Sequence, residues 1–580
     1  MTETAQPPRY PWLKFYGDVP HTINIPEITL YEKLVSTVER FPNHLAWDFM
    51  GTTYTYREFL TDIDKFANAL SAQGFKKGDI ITIAMPTAPN GIIPIYAVNK
   101  LGGICSMIHP LSPAPQIKMY LNLSKSRFAL TLDAFYCPFN EILHETGVEK
   151  LILAKVGDYL SPVMNFGFWL KKGRKIPKIP VDDRVVWYGN LLNTSYPEIP
   201  RSDMGPNDLA IILYSGGTTG IPKGIMLSNK NMIAEGEMAA IWGNITIGDK
   251  ILAILPIFHG FGLGVCVNAA FMEGGMSILV PTFTPETVAD LVKKKRPQYL
   301  IGVPTLFEAL ANNTKFQKTD LSCLKVCFSG ADTLPRQTKE KFEEVVKNAG
   351  GNVILLEGYG LTEAVTAIMA SPIKEYRENS IGVPFSNMEA KICKMDSVEE
   401  QPIGEEGEIV IAGPAVMLGY MDSPEETAKT LKTHADGKIW LHTGDIGYQD
   451  EDGFFYFKLR QKRMLKVSGI NVYPKVVEET IRKHPQVESS CVIGLPDKAQ
   501  ITRVKAFVVL KKEFDPSDAL KTSILEHCRE NLLKWETPRD IEFRKDLPLT
   551  LVGKVAFKKL EDEELAKLKE SHQYPFDDTN

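Results

Sequence analysis

Six short apolar runs, rich in β-branched residues, constrain this chain most: Ile80–Met85, Leu151–Ala154, Ala210–Tyr214, Ile251–Leu255, Ser277–Val280 and Val353–Leu356. Apolar on both faces, such strands need cover on both sides. Helical patterns lie between them. In Thr284–Arg296, Thr284 suits the cap, Pro285 the first helical position, and Val288, Leu291 and Val292 share one face. The alternation predicts an α/β fold with parallel-rich sheets and helices on both sides. Near residue 385 the pattern changes to strands joined by Gly, Asp and Pro turns, at Glu408–Ala412 and Phe454–Lys458, which predicts a small β-rich lobe. After Arg460-Gln461-Lys462-Arg463 a mixed α+β pattern follows, with a strand at Ala506–Leu510 and a helix around Ser523–Leu532. The predicted organisation is a large N-terminal domain over 1–461, a small mobile α+β domain over 462–560, and a charged helix with a polar tail over 561–580.

Composition excludes several classes. With 66 Lys and Arg against 71 Asp and Glu, the net charge of −5 lacks the excess that duplex nucleic-acid binders use, so no nucleic-acid partner is expected. The 8 cysteines have no zinc spacing, and a reducing cytoplasm suits them. Met1–Trp12 has no apolar core, so no signal peptide is expected. Ile80–Val98 and Ile251–Met272 are uncharged and long enough to raise a membrane span. Pro86, Pro89 and Pro94 in the first, and Pro256 with Gly260, Gly262 and Gly264 in the second, instead predict a strand, a turn and a helix.

The most informative stretch is Tyr214-Ser215-Gly216-Gly217-Thr218-Thr219-Gly220-Ile221-Pro222-Lys223-Gly224, between an apolar strand and a helix predicted from about Asn229. Its glycines let backbone N–H groups converge. Ser215, Thr218 and Thr219 add hydroxyls and Lys223 a positive charge, a set suited to phosphate oxygens. It is not a Walker A loop, because Pro222 precedes the lysine.

This segment resembles the signature of the adenylate-forming superfamily of acyl-CoA synthetases, peptide-synthetase adenylation domains and luciferases. The Gly216-Gly217 pair is similar to its fatty-acyl branch, and bacterial medium- and long-chain acyl-CoA ligases resemble the chain best. The resemblance implies that residues 215–223 hold the ATP β- and γ-phosphates. In Glu357-Gly358-Tyr359-Gly360-Leu361-Thr362-Glu363 it implies that Tyr359 stacks on adenine, Thr362 reaches phosphate, and Glu363, with Thr218, ligates Mg²⁺. It assigns Gly330, Ala331, Gly358 and Gly360 to the nucleotide, and Asp445 and Arg460 to the ribose, whose vicinal diol matches a carboxylate's two acceptors. Lys462 matches the hinge, although Leu459 replaces the usual glycine before it. Ser468 and Gly469 match the segment that lines the coenzyme A tunnel, and Lys554 the catalytic lysine.

The implied reaction is ATP-dependent activation of a carboxylic acid through an acyl-adenylate, then transfer to coenzyme A with release of AMP. Ser215, Thr218, Thr219, Lys223 and Mg²⁺ would hold the pyrophosphate, and Lys554 the carboxylate and α-phosphate. A carrier-protein acceptor, or an aryl or short-chain acid, remains an alternative. The acid pocket is expected at Phe258-His259-Gly260-Phe261-Gly262, at Gly302-Val303-Pro304-Thr305 and at Ser329-Gly330-Ala331, where no Lys or Arg awaits a second carboxylate. That suits a medium to long fatty acid. Val163–Leu170, with Lys171, Lys172, Arg174, Lys175 and Lys178 after it, reads equally as a peripheral contact with an anionic membrane face or as a packed insertion.

Overall fold

The computed structural model describes residues 10–171, 173, 176–215, 222–460, 463, 465–467, 470–497, 501–549 and 555–570. Each of the six apolar runs supplies a strand: Ile80–Ala84, Lys150–Ala154, Leu209–Ser215, Lys250–Ala253, Met276–Leu279 and Leu355–Gly360. The last begins two residues late and runs on through Gly358-Tyr359-Gly360. There it pairs antiparallel with Ala367–Ala370, a tertiary partner that local composition does not announce.

The strands form two large mixed sheets, as the α/β expectation required. The first has eight strands: Gly419–Tyr420, Lys223–Ser228, Leu209–Ser215, Ile104–Met107, Ile80–Ala84, Phe128–Leu132, Lys150–Ala154 and Val185–Trp187. Its members from Leu209–Ser215 to Val185–Trp187 pair in parallel, with antiparallel strands at the other edge. The second has nine strands, and its centre, Leu355–Gly360, Val326–Ser329, Tyr299–Gly302, Lys250–Ala253, Met276–Leu279 and Leu45–Phe49, is again parallel. The helix predicted over Thr284–Arg296 spans Pro285–Lys295. The Thr284 side chain accepts from the Thr287 N–H, and Arg296 closes the helix at a left-handed φ of 53°.

A five-stranded antiparallel sheet follows, in which Ile439–Gln449 lies between Gly407–Ala412 and Leu431–Thr433 and also pairs with Phe455–Arg460. Beyond residue 463, Val487–Asp497, Ile501–Leu510 and Asp540–Phe543 form a three-stranded sheet beside the hairpin Leu465–Val467 and Ile470–Val472. Helices Pro474–Arg482, Asp518–Asn531 and Phe557–Glu570 accompany them.

The uncharged stretches are interior. Helix Pro89–Lys100 is buried over its whole length. The segment after Lys250–Ala253 is a π-helix, Phe261–Asn268, running into Ala269–Met272. Among the described residues no helix is long and apolar enough to cross a membrane.

Candidate functional site

In open α/β sheets, ligands bind beyond the carboxyl ends of the parallel strands. Gly302 pairs with Ser329, and Ser329 with Glu357, so three of the predicted segments end side by side. The Gly330 N–H donates to the Gly302 carbonyl at 3.0 Å, and Ala331 takes a left-handed φ of 72° as the chain turns away. Val303, half-buried, leads into helix Pro304–Ala311. A Cβ on Gly330 would come 3.0 Å from Phe261, and one on Gly260 would overlap the Val365 carbonyl. The His259 segment is thereby pressed against both the Gly330 loop and the turn after Glu363. His259 is half-buried, with Nδ1 accepting from the Phe261 N–H at 3.2 Å.

The predicted phosphate segment joins two strands of a hairpin, since Ser215 pairs with Lys223 and Tyr214 with Gly224. The strand Lys223–Ser228 was not expected, because only a helix from Asn229 was legible there. Gly216, Gly217, Thr218, Thr219 and Gly220 lie outside the described residues, as do Lys462, Ser468, Gly469 and Lys554.

Lys223 donates to Glu426 Oε2 at 2.6 Å and stands 4.6 Å from the centre of the Tyr420 ring. The Lys223 ammonium is the main reason the Glu426 carboxyl has its pKa pulled down to about 2. Tyr420 belongs to Gly419–Tyr420, which pairs with the Lys223–Ser228 strand, and its hydroxyl donates to Glu363 Oε1 at 2.9 Å. The Met417 N–H donates to the Glu363 carbonyl at 2.9 Å. One tyrosine thus links the predicted phosphate lysine to the predicted metal carboxylate, across 197 and 57 residues of sequence respectively. Thr362 and Glu363 sit in a short 3-10 turn whose exit, Val365, has a φ of 63°. Among the described residues no group of three or more His, Cys, Asp or Glu is placed to hold a metal. A single half-buried carboxylate fits Mg²⁺, which takes few protein ligands and shares substrate phosphates.

Asp445, 1% exposed, lies in the strand Ile439–Gln449 rather than in a turn. Its Oδ2 accepts from the Tyr359 hydroxyl at 2.7 Å, and its Oδ1 from Arg460 Nε at 3.0 Å, Arg460 being its cross-strand partner. Burial raises the Tyr359 pKa further above its usual value, so the phenol remains a donor. Behind Asp445 stands a support that the sequence did not reveal. Glu408 Oε1 accepts from the Gly444 N–H at 2.8 Å, and Oε2 lies 2.6 Å from His442 Nδ1. His442 Nε2 lies 3.0 Å from His434 Nε2, and Thr443 donates to the Ile409 carbonyl at 2.6 Å. The carboxylate is held on a strand braced from the far side.

From beyond residue 463, Lys475 hydrogen-bonds Thr333 Oγ1, next to the Ala331 turn. Burial pushes the neighbouring Glu357 carboxyl up to about 7. The site therefore brings together a cationic edge at Lys223, a carboxylate beside it, an aromatic and carboxylate pair, and an apolar Gly-rich wall. This arrangement suits a nucleotide facing an acid.

Such a fold and site define an adenylate-forming enzyme. A family model described as "AMP-binding enzyme" matches residues 34–421, and one described as "AMP-binding enzyme C-terminal domain" matches residues 476–554. The chain belongs to the AMP-binding enzyme family. It is 36% identical over 563 residues to a long-chain-fatty-acid–CoA ligase of Bacillus subtilis (strain 168), covering 96% of this chain and 98% of that protein. To a protein of the same description from Escherichia coli O157:H7 it is 34% identical over 571 residues, covering 96% and 99%. Among solved structures, ATP-bound MatB from Rhodopseudomonas palustris matches with a TM-score of 0.80 and 25% identity, covering 93% and 99%. An anthranilate CoA ligase in complex with anthranoyl-AMP matches with a TM-score of 0.78 and 25% identity, covering 96% and 99%.

Proposed function

We propose that the chain is an ATP-dependent ligase that joins a medium- to long-chain fatty acid to coenzyme A through an acyl-adenylate. The observation that carries this is 34–36% identity to long-chain-fatty-acid–CoA ligases, spanning 96% of the chain. The absence of Lys and Arg from the three segments of the acid pocket agrees with it.

In the first step a carboxylate oxygen attacks the α-phosphorus of ATP, the bond to the β-phosphate oxygen breaks, and pyrophosphate leaves. Lys223 exchanges Glu426 for phosphate oxygens, a short move because Glu426 is a surface carboxylate. Asp445, already accepting from Tyr359 and Arg460, offers its remaining lone pairs to the ribose hydroxyls. Glu363, its Oε1 bonded to Tyr420, would hold Mg²⁺ together with Thr218, and the ion would supply charge neutralisation at the phosphates. Lys554 is assigned the α-phosphate and the carboxylate, where negative charge grows as the new bond forms. In the second step the coenzyme A sulfur attacks the acyl carbon, the thiol proton is released, and AMP departs with the bonding electrons; Ser468 and Gly469 are assigned to its approach.

A pyrophosphate-release panel of saturated acids, run with and without coenzyme A, tests this reading. Turnover should rise with chain length into the medium to long range, because each buried methylene contributes about 0.8 kcal/mol. A maximum at acetate or benzoate would sink the acid assignment.

We also assign helix Pro162–Lys171 to peripheral contact with an anionic membrane face. Val163, Phe166 and Leu170 are 82%, 63% and 46% exposed, and a basic run follows. Replacing Phe166 and Leu170 by Glu should weaken partitioning onto phosphatidylserine-containing vesicles, read by co-flotation, by about a hundredfold, since each of the two apolar side chains withdrawn from lipid forfeits roughly 1.5 kcal/mol. Equal flotation of variant and wild type would make the helix an ordinary insertion.

A further inference from the structure

A carboxylic acid with nothing to bond lies inside the large body. Glu235, in helix Asn229–Trp242, is 0% exposed, and neither of its oxygens has a hydrogen-bond partner among the described residues. Several other buried carboxylates are answered, Asp48 by Lys295, Glu408 by His442 and the Gly444 N–H, Glu564 by Lys505, and of Asp133 only Oδ1 is unbonded where Glu235 has both oxygens so. The Ala367 N–H is near enough to temper the Glu235 pKa but lies outside hydrogen-bonding geometry. Unpaired polar atoms at such depth are rare, because each lowers stability unless something else bonds it. Burial raises the Glu235 pKa well above the carboxylate range. The side chain is therefore a neutral acid, with one O–H to donate and one carbonyl oxygen to accept.

The direction in which it points matters most. A Cβ on Gly264 would overlap the Glu235 carboxyl, so the acid rests on the bare backbone of the π-helix Phe261–Asn268. One turn earlier, Gly260 lies as closely on the Val365 carbonyl, and Phe261 faces Gly330. The π-helix starts at the His259 segment. Ala367, beside Glu235, is the strand partner of Gly360 in the hairpin that carries Tyr359. Glu235 thus rests on the helix that begins at the His259 segment, against Gly264, five residues beyond His259 in sequence. π-Helical turns often mark functional positions, because the extra residue opens the coil.

We propose that Glu235 is a specificity group of the acyl pocket: its carboxylic acid hydrogen-bonds an oxygen carried on the acyl chain, so that hydroxy- or oxo-substituted fatty acids are favoured over unsubstituted ones. The proposal rests on the reading that the acid lies between the His259 segment and the Gly302 and Gly330 turns.

The test compares kcat/KM for an unsubstituted fatty acid with that for hydroxy and oxo acids of the same length, substituted at successive chain carbons. Wild type should prefer at least one oxygenated acid by about tenfold, the discrimination expected when a buried polar group is otherwise left unpaired. Glu235→Leu should reverse that preference, and Glu235→Gln, which keeps a donor and an acceptor, should retain it. A purely structural glutamate would instead lower thermal stability and slow all acids equally. Should the Leu variant fail to fold, Glu235→Met and Gly264→Ala, which crowds the same carboxyl from the opposite side, read the same ratio. Equal use of all acids by wild type, or a preference that survives Glu235→Leu, overturns the proposal. If the ligase reading itself were wrong, no fatty acid, oxygenated or plain, would release pyrophosphate.

Discussion

Asp445→Ala should lower kcat/KM for ATP by at least about a hundredfold. The loss should fall mainly on nucleotide binding, with the KM for the acid little changed. The carboxylate is buried and central: its removal deprives the Tyr359 hydroxyl and the Arg460 guanidinium of their shared acceptor and the ribose of its own. Breaking a buried hydrogen-bonded charge typically costs about 3–5 kcal/mol, or roughly 10² to 4 × 10³ in an equilibrium constant. The Arg460 part is discounted, because that side chain is 59% exposed and water will take up its charge. The Tyr359 part is not, because its ring is buried. Asp445→Asn keeps the shape and one acceptor oxygen and should show a smaller loss. Isothermal titration with ATP or AMP, beside steady-state kinetics, separates binding from chemistry. An Ala variant with unchanged nucleotide affinity would remove Asp445 from the site.

Lys554→Ala should abolish adenylate formation, by about 10² to 10³ or more, while thioester formation from a preformed acyl-adenylate stays within a few-fold of wild type. A cation aimed at the α-phosphate under attack contributes on that scale, whereas in the second step the attack is on the acyl carbon and not on phosphorus. The two half-reactions are read by acid-dependent exchange of labelled pyrophosphate into ATP, and by thioester release from synthetic acyl-adenylate with coenzyme A. Equal loss in both would make the lysine a general structural element. Loss only in the second would reverse its role.

What the sequence disclosed about this site follows from how the chemistry is written along the chain. The phosphate segment is contiguous, so residue type and spacing point to phosphate. The run from Glu357 to Glu363, and Asp445 beside Thr443 and Gly444, entered only through the family resemblance. Tyr420, Glu426, Glu408 and His442 were hidden because each acts on a residue brought near only by sheet pairing. Glu426 lies 203 residues from Lys223 and Glu408 lies 34 from His442. The strand Lys223–Ser228 was missed for a related reason. It starts with Lys-Gly and owes its extended form to Leu209–Ser215 on one side and Gly419–Tyr420 on the other. The π-helix passes in sequence for a glycine-rich turn before a helix, since nothing in Phe261–Asn268 encodes an additional residue per turn. Glu235 is the reverse case: an acid within a helix normally reads as solvent-facing, and only packing shows that it faces inward with no hydrogen-bond partner among the described residues.

The central claim, ATP-driven joining of a fatty acid to coenzyme A, is tested most directly by the product balance. The enzyme is incubated with ATP, Mg²⁺, coenzyme A and an accepted fatty acid, and every product is quantified by chromatography and mass spectrometry. The account predicts equimolar AMP, pyrophosphate and acyl-CoA, with acyl-adenylate seen only when coenzyme A is withheld. ADP and phosphate in place of AMP and pyrophosphate, or an adenylate that coenzyme A fails to consume, would contradict it.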